Sequence, residues 1–248
     1  MKTIAVYSSK GGVGKTATSV NLAFTASTGG DRVLLCDMDS QGAASFYYRI
    51  KPKKKFNRAR LLNGEFYDFI RGTDYPMLDL LPAHFSFRNL DIAINEEKKE
   101  KKRQVLGSLL SPLADQYDYV ILDCPPNVSV LSENIITAVD CVVVPVVPTT
   151  LSLLALEQLL KLCKKVGCKK KKILAFFSMV ERRKLMHNSI MTKYRSYPIF
   201  MQSYVPFMAE IEKMGMYRRP VGSTPRKSVA SQAYDLLWQE IRERRLSK

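Results

Sequence analysis

Seven stretches of this chain are almost continuously apolar. They read "TIAVYSS" from Thr3, "RVLLCDMD" from Arg32, "MLDLLPA" from Met77, "YDYVILDCPP" from Tyr117, "DCVVVPVVP" from Asp140, "KKILAFFSMV" from Lys171 and "FMQSYVP" from Phe200. Unbroken rather than alternating hydrophobicity belongs to strands covered on both faces, as in a parallel sheet. Between them, apolar residues recur at helical spacing and predict helices over Gly14 to Ala26, Val105 to Gln116, Leu151 to Val166, Leu185 to Arg195 and Ser228 to Arg245. The alternation predicts an α/β fold: a doubly wound, mostly parallel sheet with helices on both faces.

The leucine stripe in "LSLLALEQLLKLCKKVG" reads as core packing or a subunit interface. Two segments break the rhythm, "YYRIKPKKKFNRARLLNG" after the second strand and "NEEKKEKKRQ" before the helix at Val105. Neither has the composition of a linker, no internal repeat is visible, and both read as surface excursions of one domain spanning 1–248. A chain of 248 residues is long enough for one sizeable core.

Composition then narrows the partners. The 39 Lys plus Arg exceed the 23 Asp plus Glu, and a net charge of +16 points to nucleic acid, an anionic membrane or an acidic protein. Five cysteines, three of them in apolar strands, read as reduced packing residues of a cytoplasmic protein. Cys163 and Cys168 lack a second pair or a nearby histidine, which argues against a metal site. No apolar run approaches the roughly 20 residues of a bilayer span, and the glycine loop follows "MKTIAVYSS" too soon for a signal peptide.

That loop carries the chemistry. Gly11, Gly12, Val13, Gly14, Lys15 and Thr16 follow a predicted strand and open a predicted helix, the context of a phosphate-binding loop. Its glycines let successive N–H groups face phosphate oxygens, and the helix N-terminus adds partial positive charge. Lys15 is placed to reach the β and γ phosphates of ATP, and the Thr16 hydroxyl suits Mg²⁺. Asp123 closes a hydrophobic strand in "VILDCPP", the position of a Walker-B acid. Asp37 and Asp39 end another strand and could orient the attacking water; Asp37 could equally be a turn cap.

"SKGGVGKT", "DMDSQG", "LDLLPA", "YDYVILDCPP" and "VVVPVVPTTLSLLALEQL", in this order, resemble the ParA/MinD family of deviant Walker-A ATPases, most closely the small ParA-type members without an N-terminal helix-turn-helix domain. The resemblance implies that Lys10, the extra lysine before the loop, crosses an ATP-dependent homodimer to the partner's phosphates. It implies that Asp39 is the switch acid positioning the hydrolytic water and sharing Mg²⁺ with Thr16 and Asp123, and that Pro206 lies near the adenine. Ala17 stands where the family commonly has a second threonine; its backbone N–H still faces the phosphates.

The family divides by the surface it binds. ParA-like members coat nonspecific double-stranded DNA and are released by partner-stimulated hydrolysis, whereas MinD-like members reach the membrane through an amphipathic C-terminal helix and regulate division placement. The last helix mixes Asp235, Glu240 and Glu243 into its charges, which fits a helix docked on the domain better than a basic membrane anchor. DNA-contact candidates are Lys169, Lys170, Arg182, Arg183, Arg218 and Arg219, with Arg226 and Lys227 nearby. The expected protein is a cytoplasmic, nucleoid-associated ATPase. It would work with a ParB-like or cargo-adaptor protein to move a plasmid, a chromosome or a protein organelle such as a carboxysome.

Overall fold

The computed structural model describes residues 1–96, 105–224 and 228–246. Arg226, Lys227 and most of "NEEKKEKKRQ" lie outside the described residues. The chain runs through β1 (Lys2–Val6), α1 (Lys15–Thr28), β2 (Val33–Asp37), α2 (Ala43–Tyr47), α3 (Arg58–Leu62), β3 (Arg71–Gly72) and β4 (Leu78–Leu81). It continues through α4 (Leu90–Glu96), α5 (Val105–Leu110), β5 (Tyr119–Asp123), α6 (Val130–Ala138), β6 (Cys141–Val146) and α7 (Thr150–Lys165). Then come β7 (Ile173–Val180), α8 (Leu185–Tyr194), β8 (Phe200–Pro206), α9 (Ala209–Glu212), α10 (Met214–Tyr217) and α11 (Val229–Ile241).

Among the described residues, eight strands form one sheet in the order β3-β4-β2-β5-β1-β6-β7-β8. All pairs are parallel except β3 with β4, a short antiparallel edge that its two-residue length and polar sequence did not announce. Register places Val6 opposite Asp123 and Asp37 opposite Asp123, so three strands end level around one point.

Alternation along each strand divides the core in two. Ile4, Val6, Leu35, Ile121 and Val143 pack on one face with α1 and α11. Ala5, Leu34, Cys36, Leu122 and Val144 pack on the other, beneath α4 to α7. Most of the apolar face of α11 is engaged: Tyr234, Leu237, Trp238 and Ile241 are buried, each contributing about 1.5–3 kcal/mol, while Val229 at its start and Leu236 stay exposed. This is the docked helix that its mixed charges predicted. Its carboxylate Glu240 also accepts hydrogen bonds from the Gln202 and Ser203 amides of β8, at 2.9 and 2.8 Å, along the outer edge of the sheet.

Three expectations need correction. The basic segment after β2 is not a pure surface excursion, because Phe56 is completely buried and stacks on Phe69 with ring centroids 4.7 Å apart. The helix from Val105 stops at Leu110 instead of Gln116, since Pro112 disfavours helical geometry at Ser111 and the chain tightens into a 3₁₀ turn. Helix α6 was not anticipated: its β-branched, serine-rich sequence weakens the helical pattern, and a capping box of Ser129 with Ser132 starts it. No helix among the described residues is long and apolar enough to cross a membrane.

Candidate functional site

The loop from Tyr7 to Gly14 leaves the carboxyl end of central β1 and turns into α1, at the edge where β2 and β5 also end. Gly12 and Gly14 hold φ of 71° and 90°, which side-chain-bearing residues resist. A Cβ on Gly14 would also stand 3.2 Å from the Ser178 hydroxyl, whereas Gly11 and Gly12 face open space. Val13 is buried and anchors the loop between them. The first N–H groups of α1, from Lys15, Thr16 and Ala17, have no intrahelical acceptor and are available to an anion.

The two lysines behave differently. Lys15 is buried and folds back over its own loop, its Nζ donating to the Lys10 carbonyl at 3.1 Å. Desolvation lowers its pKa, opposed by the charge of Asp123. Lys10 is half-buried, and its Nζ makes no hydrogen bond or ion pair with any described residue.

Facing the loop, Asp123 and Asp37 are both completely buried. Asp123 accepts from the Ser19 hydroxyl at 2.9 Å, and the Thr16 hydroxyl stands beside the same carboxylate. Asp37 accepts from the Ser45 amide and hydroxyl, each at 2.7 Å, and so does cap α2. Each carboxylate nevertheless keeps one buried oxygen with no hydrogen-bond partner, Asp37 Oδ1 and Asp123 Oδ2. Burial pushes both acids well above the ordinary carboxylate range; Asp37 adds its charge to the rise of Asp123, and Asp39 adds to that of Asp37. Two adjoining, unmet carboxylate oxygens beside a threonine hydroxyl are the donor set a hard divalent cation takes. No three His, Cys, Asp or Glu side chains cluster as a metal cage among the described residues.

Asp39 lies half-exposed two residues beyond Asp37, its Oδ1 accepting from the Gln41 amide at 3.0 Å in a turn that leads through Gly42 into α2. Pro206, at the end of β8, lines one groove with Gly14, Ala17, Ser178, Met208 and Tyr234. Loop, Asp39, Asp123 and Pro206 therefore share one edge of the sheet.

The basic candidates divide between this edge, where Arg182 and Arg183 follow Val180 opposite Pro206, and the opposite one, where Lys169 and Lys170 lie. Lys169 and Lys170 precede β7, while Arg182 and Arg183 follow it; an eight-residue strand separates the two pairs, roughly 26 Å at 3.3 Å per residue. All four are exposed, as is Arg219. Arg218 is committed elsewhere: its Nε donates to the Phe46 carbonyl at 3.1 Å, and its guanidinium lies 4.4 Å from the Phe46 ring centroid. It thereby ties α10 to α2. Sequence reasoning missed this contact, the Ser45 bond to Asp37 and the Ser19 bond to Asp123. Ser19 alone carried a signal, one helical turn after Lys15 on the face turned to the sheet.

A glycine loop opening α1 from a central parallel strand, with a lysine folded over it and acids ending two neighbouring strands, defines a P-loop NTPase fold. The AAA domain family model matches residues 1–176. The chromosome partitioning protein ParA of Caulobacter vibrioides is 29% identical over 252 residues, covering 97% of this chain and 94% of that protein. The sporulation initiation inhibitor protein Soj of Bacillus subtilis is 36% identical over 162 residues, 64% of this chain and 63% of its own. In structure, a plasmid partition protein of Borrelia burgdorferi bound to AMPPNP superposes with a TM-score of 0.84 at 22% identity, covering 98% of each chain. The chain belongs to the AAA domain family and, within it, to the ParA/MinD group of deviant Walker-A ATPases.

Proposed function

We propose that residues 1–248 act as one ParA-type ATPase domain that closes as a homodimer on Mg²⁺-ATP, binds nonspecific double-stranded DNA on the nucleoid and positions a cargo. A ParB-like or adaptor protein would release it by stimulating hydrolysis. The observation that carries this reading is the division of labour between the lysines: Lys15 is folded onto the Lys10 carbonyl of its own loop, and the Lys10 ammonium has no partner among the described residues. Lys15 and the amides of Gly11 to Ala17 hold the phosphates in their own subunit, and Lys10 supplies charge to the phosphates of the second subunit. Asp39 orients the attacking water, and Pro206 bounds the groove that takes the base. Thr16 and Asp123, with Asp39 and the unmet oxygen of Asp37, fit Mg²⁺, which when bound draws charge from the β and γ phosphate oxygens.

The test is retention of the purified chain on nonspecific duplex DNA with ATP, with ADP and without nucleotide, at one moderate salt, alongside its mass by light scattering. The expected result is retention and a doubled mass with ATP only. Equal retention in all three states would reduce the protein to a basic DNA-coating chain and sink the switch.

A further inference from the structure

Away from the nucleotide edge, α7 ends in a tight reversal. Gly167, with φ of 75°, turns the chain back so that the Cys168 amide donates to the Cys163 carbonyl at 2.8 Å and the Gly167 amide to the Lys164 carbonyl at 3.3 Å. This pair of bonds is a Schellman motif, which brings the side chain just past the helix against the one five residues earlier, usually in an apolar contact. Here both positions are thiols. Cys163 is buried in the core cluster, and Cys168, half-exposed, packs against the same cluster. A disulfide needs its two α-carbons close together, and the 2.8 Å backbone bond from Cys168 to Cys163 holds the two residues next to each other at the helix end.

We infer that Cys163 and Cys168 form a redox-reactive dithiol that low-molecular-weight disulfides oxidise to an intrachain disulfide. The two positions divide the chemistry. Cys168 is the reachable sulfur, its thiol lying 3.7 Å from the Lys169 carbonyl; the neighbouring Cys163 thiol, with help from Lys172 and against the opposing effect of burial, holds it below the ordinary thiol range, while Cys163 itself is raised. Cys168 is therefore the attacking thiolate and Cys163 the resolving thiol. With oxidised glutathione, the Cys168 sulfur attacks one glutathione sulfur, forms a mixed disulfide and expels glutathione thiolate. Cys163 then gives up its proton, attacks the Cys168 sulfur and expels the second glutathione. Two protein thiols are oxidised as one glutathione disulfide is reduced to two thiols. Cys36, Cys124 and Cys141 lie buried in the sheet, where desolvation raises their pKa, and have no comparable route. The product would pin the lysines at 169–172 to the last turn of α7, and the inference stands whether or not the chain hydrolyses ATP.

The experiment treats the reduced, full chain with oxidised glutathione at neutral pH, blocks remaining thiols and digests without reductant. Trypsin cuts after Lys164 and Lys165, between the cysteines, so the disulfide appears as two cysteine peptides joined through sulfur. The expected result is that linked pair, formed ahead of any modification at Cys36, Cys124 or Cys141. In Cys163→Ser a glutathione adduct should persist on Cys168, and in Cys168→Ser the pair should be inert. A parent chain whose Cys168 keeps its adduct, or whose Cys168 reacts no faster than the sheet cysteines, would overturn the proposal and leave the thiols as an apolar cap contact.

Discussion

The two edges of one sheet treat charge in opposite ways. Where β1, β2 and β5 end, Lys15, Asp37 and Asp123 are buried, and two carboxylate oxygens have no partner. Where β7 begins, Lys169, Lys170 and Lys171 stand in water. Solvated lysines cost the fold little, and their positions can drift. Buried acids with unmet oxygens destabilise the nucleotide-free chain, and such an arrangement persists where a ligand completes it. The contrast teaches which charges to read as a site: those the protein keeps at a cost, rather than those it has in number.

The sharpest way to break the comparison is Lys10→Ala. ATP affinity should stay within about threefold, while partner-stimulated hydrolysis falls by roughly 10³ or more, as for a trans-acting cation in other NTPases. Stimulated turnover equal to the parent in a single-turnover assay would return Lys10 to the solvated class. Next in size, Lys15→Ala removes charge-assisted hydrogen bonds worth about 1.5–3 kcal/mol each. Calorimetric titration with Mg²⁺-ATP should weaken by about 10² or more, and an unchanged Kd would mean that the loop amides alone grip the nucleotide.

A third prediction concerns pH. The folded pKa values of Asp37 and Asp123 are raised above the ordinary carboxylate value of 3.8, so between that value and the raised ones the folded chain binds more protons than the unfolded. Stability of the nucleotide-free protein should then fall as pH rises above the ordinary carboxylate range. Asp123→Asn should flatten that slope and raise Tm near neutral pH, by about 2–4 °C for each kcal/mol regained, while abolishing Mg²⁺-dependent nucleotide binding. A scanning calorimetry series in which parent and variant share one pH slope would contradict the buried-acid argument.

The smallest effects should separate the basic groups. Reversing Arg219 with Arg183, or Lys169 with Lys170, should lower the log-log salt slope of ATP-dependent DNA retention by about 0.9 per lost phosphate contact. Only pairs on the DNA face will do so, and a slope indifferent to every pair would remove all four residues. Arg218→Ala adds a structural readout, because its contact with Phe46 is worth about 0.5–1 kcal/mol at an exposed site.

How much of this was legible depended on whether the signal was local. The loop from Gly11 to Thr16 could be read because glycine spacing and the adjoining strand and helix lie within a few residues of one another. Asp123 was legible because an apolar strand points to its own end. The bond from Ser45 to Asp37 was not, since a cap contributed from eight residues away looks like any serine in a loop. Phe56 was hidden for a different reason: one apolar residue among lysines has no periodicity, and only contact with Phe69 and Phe87 makes it core. Charge counts were the poorest guide, placing in one list residues that the topology sends to opposite edges.

The two β8 amides held by Glu240 bear on how copies of this chain can meet. An outer strand with open N–H groups is a template on which another strand can add, and addition of that kind propagates without limit. Here the template is closed by a side chain from the last helix, and Arg244 takes the Phe200 carbonyl on the same strand at 2.9 Å. A dimer closed through the loop-bearing edge, as proposed above, would then face less competition from sheet extension along β8. Fraying α11 from its seat would uncover the Gln202 and Ser203 amides and the Phe200 carbonyl of an outer strand, the groups on which edge-to-edge aggregation starts.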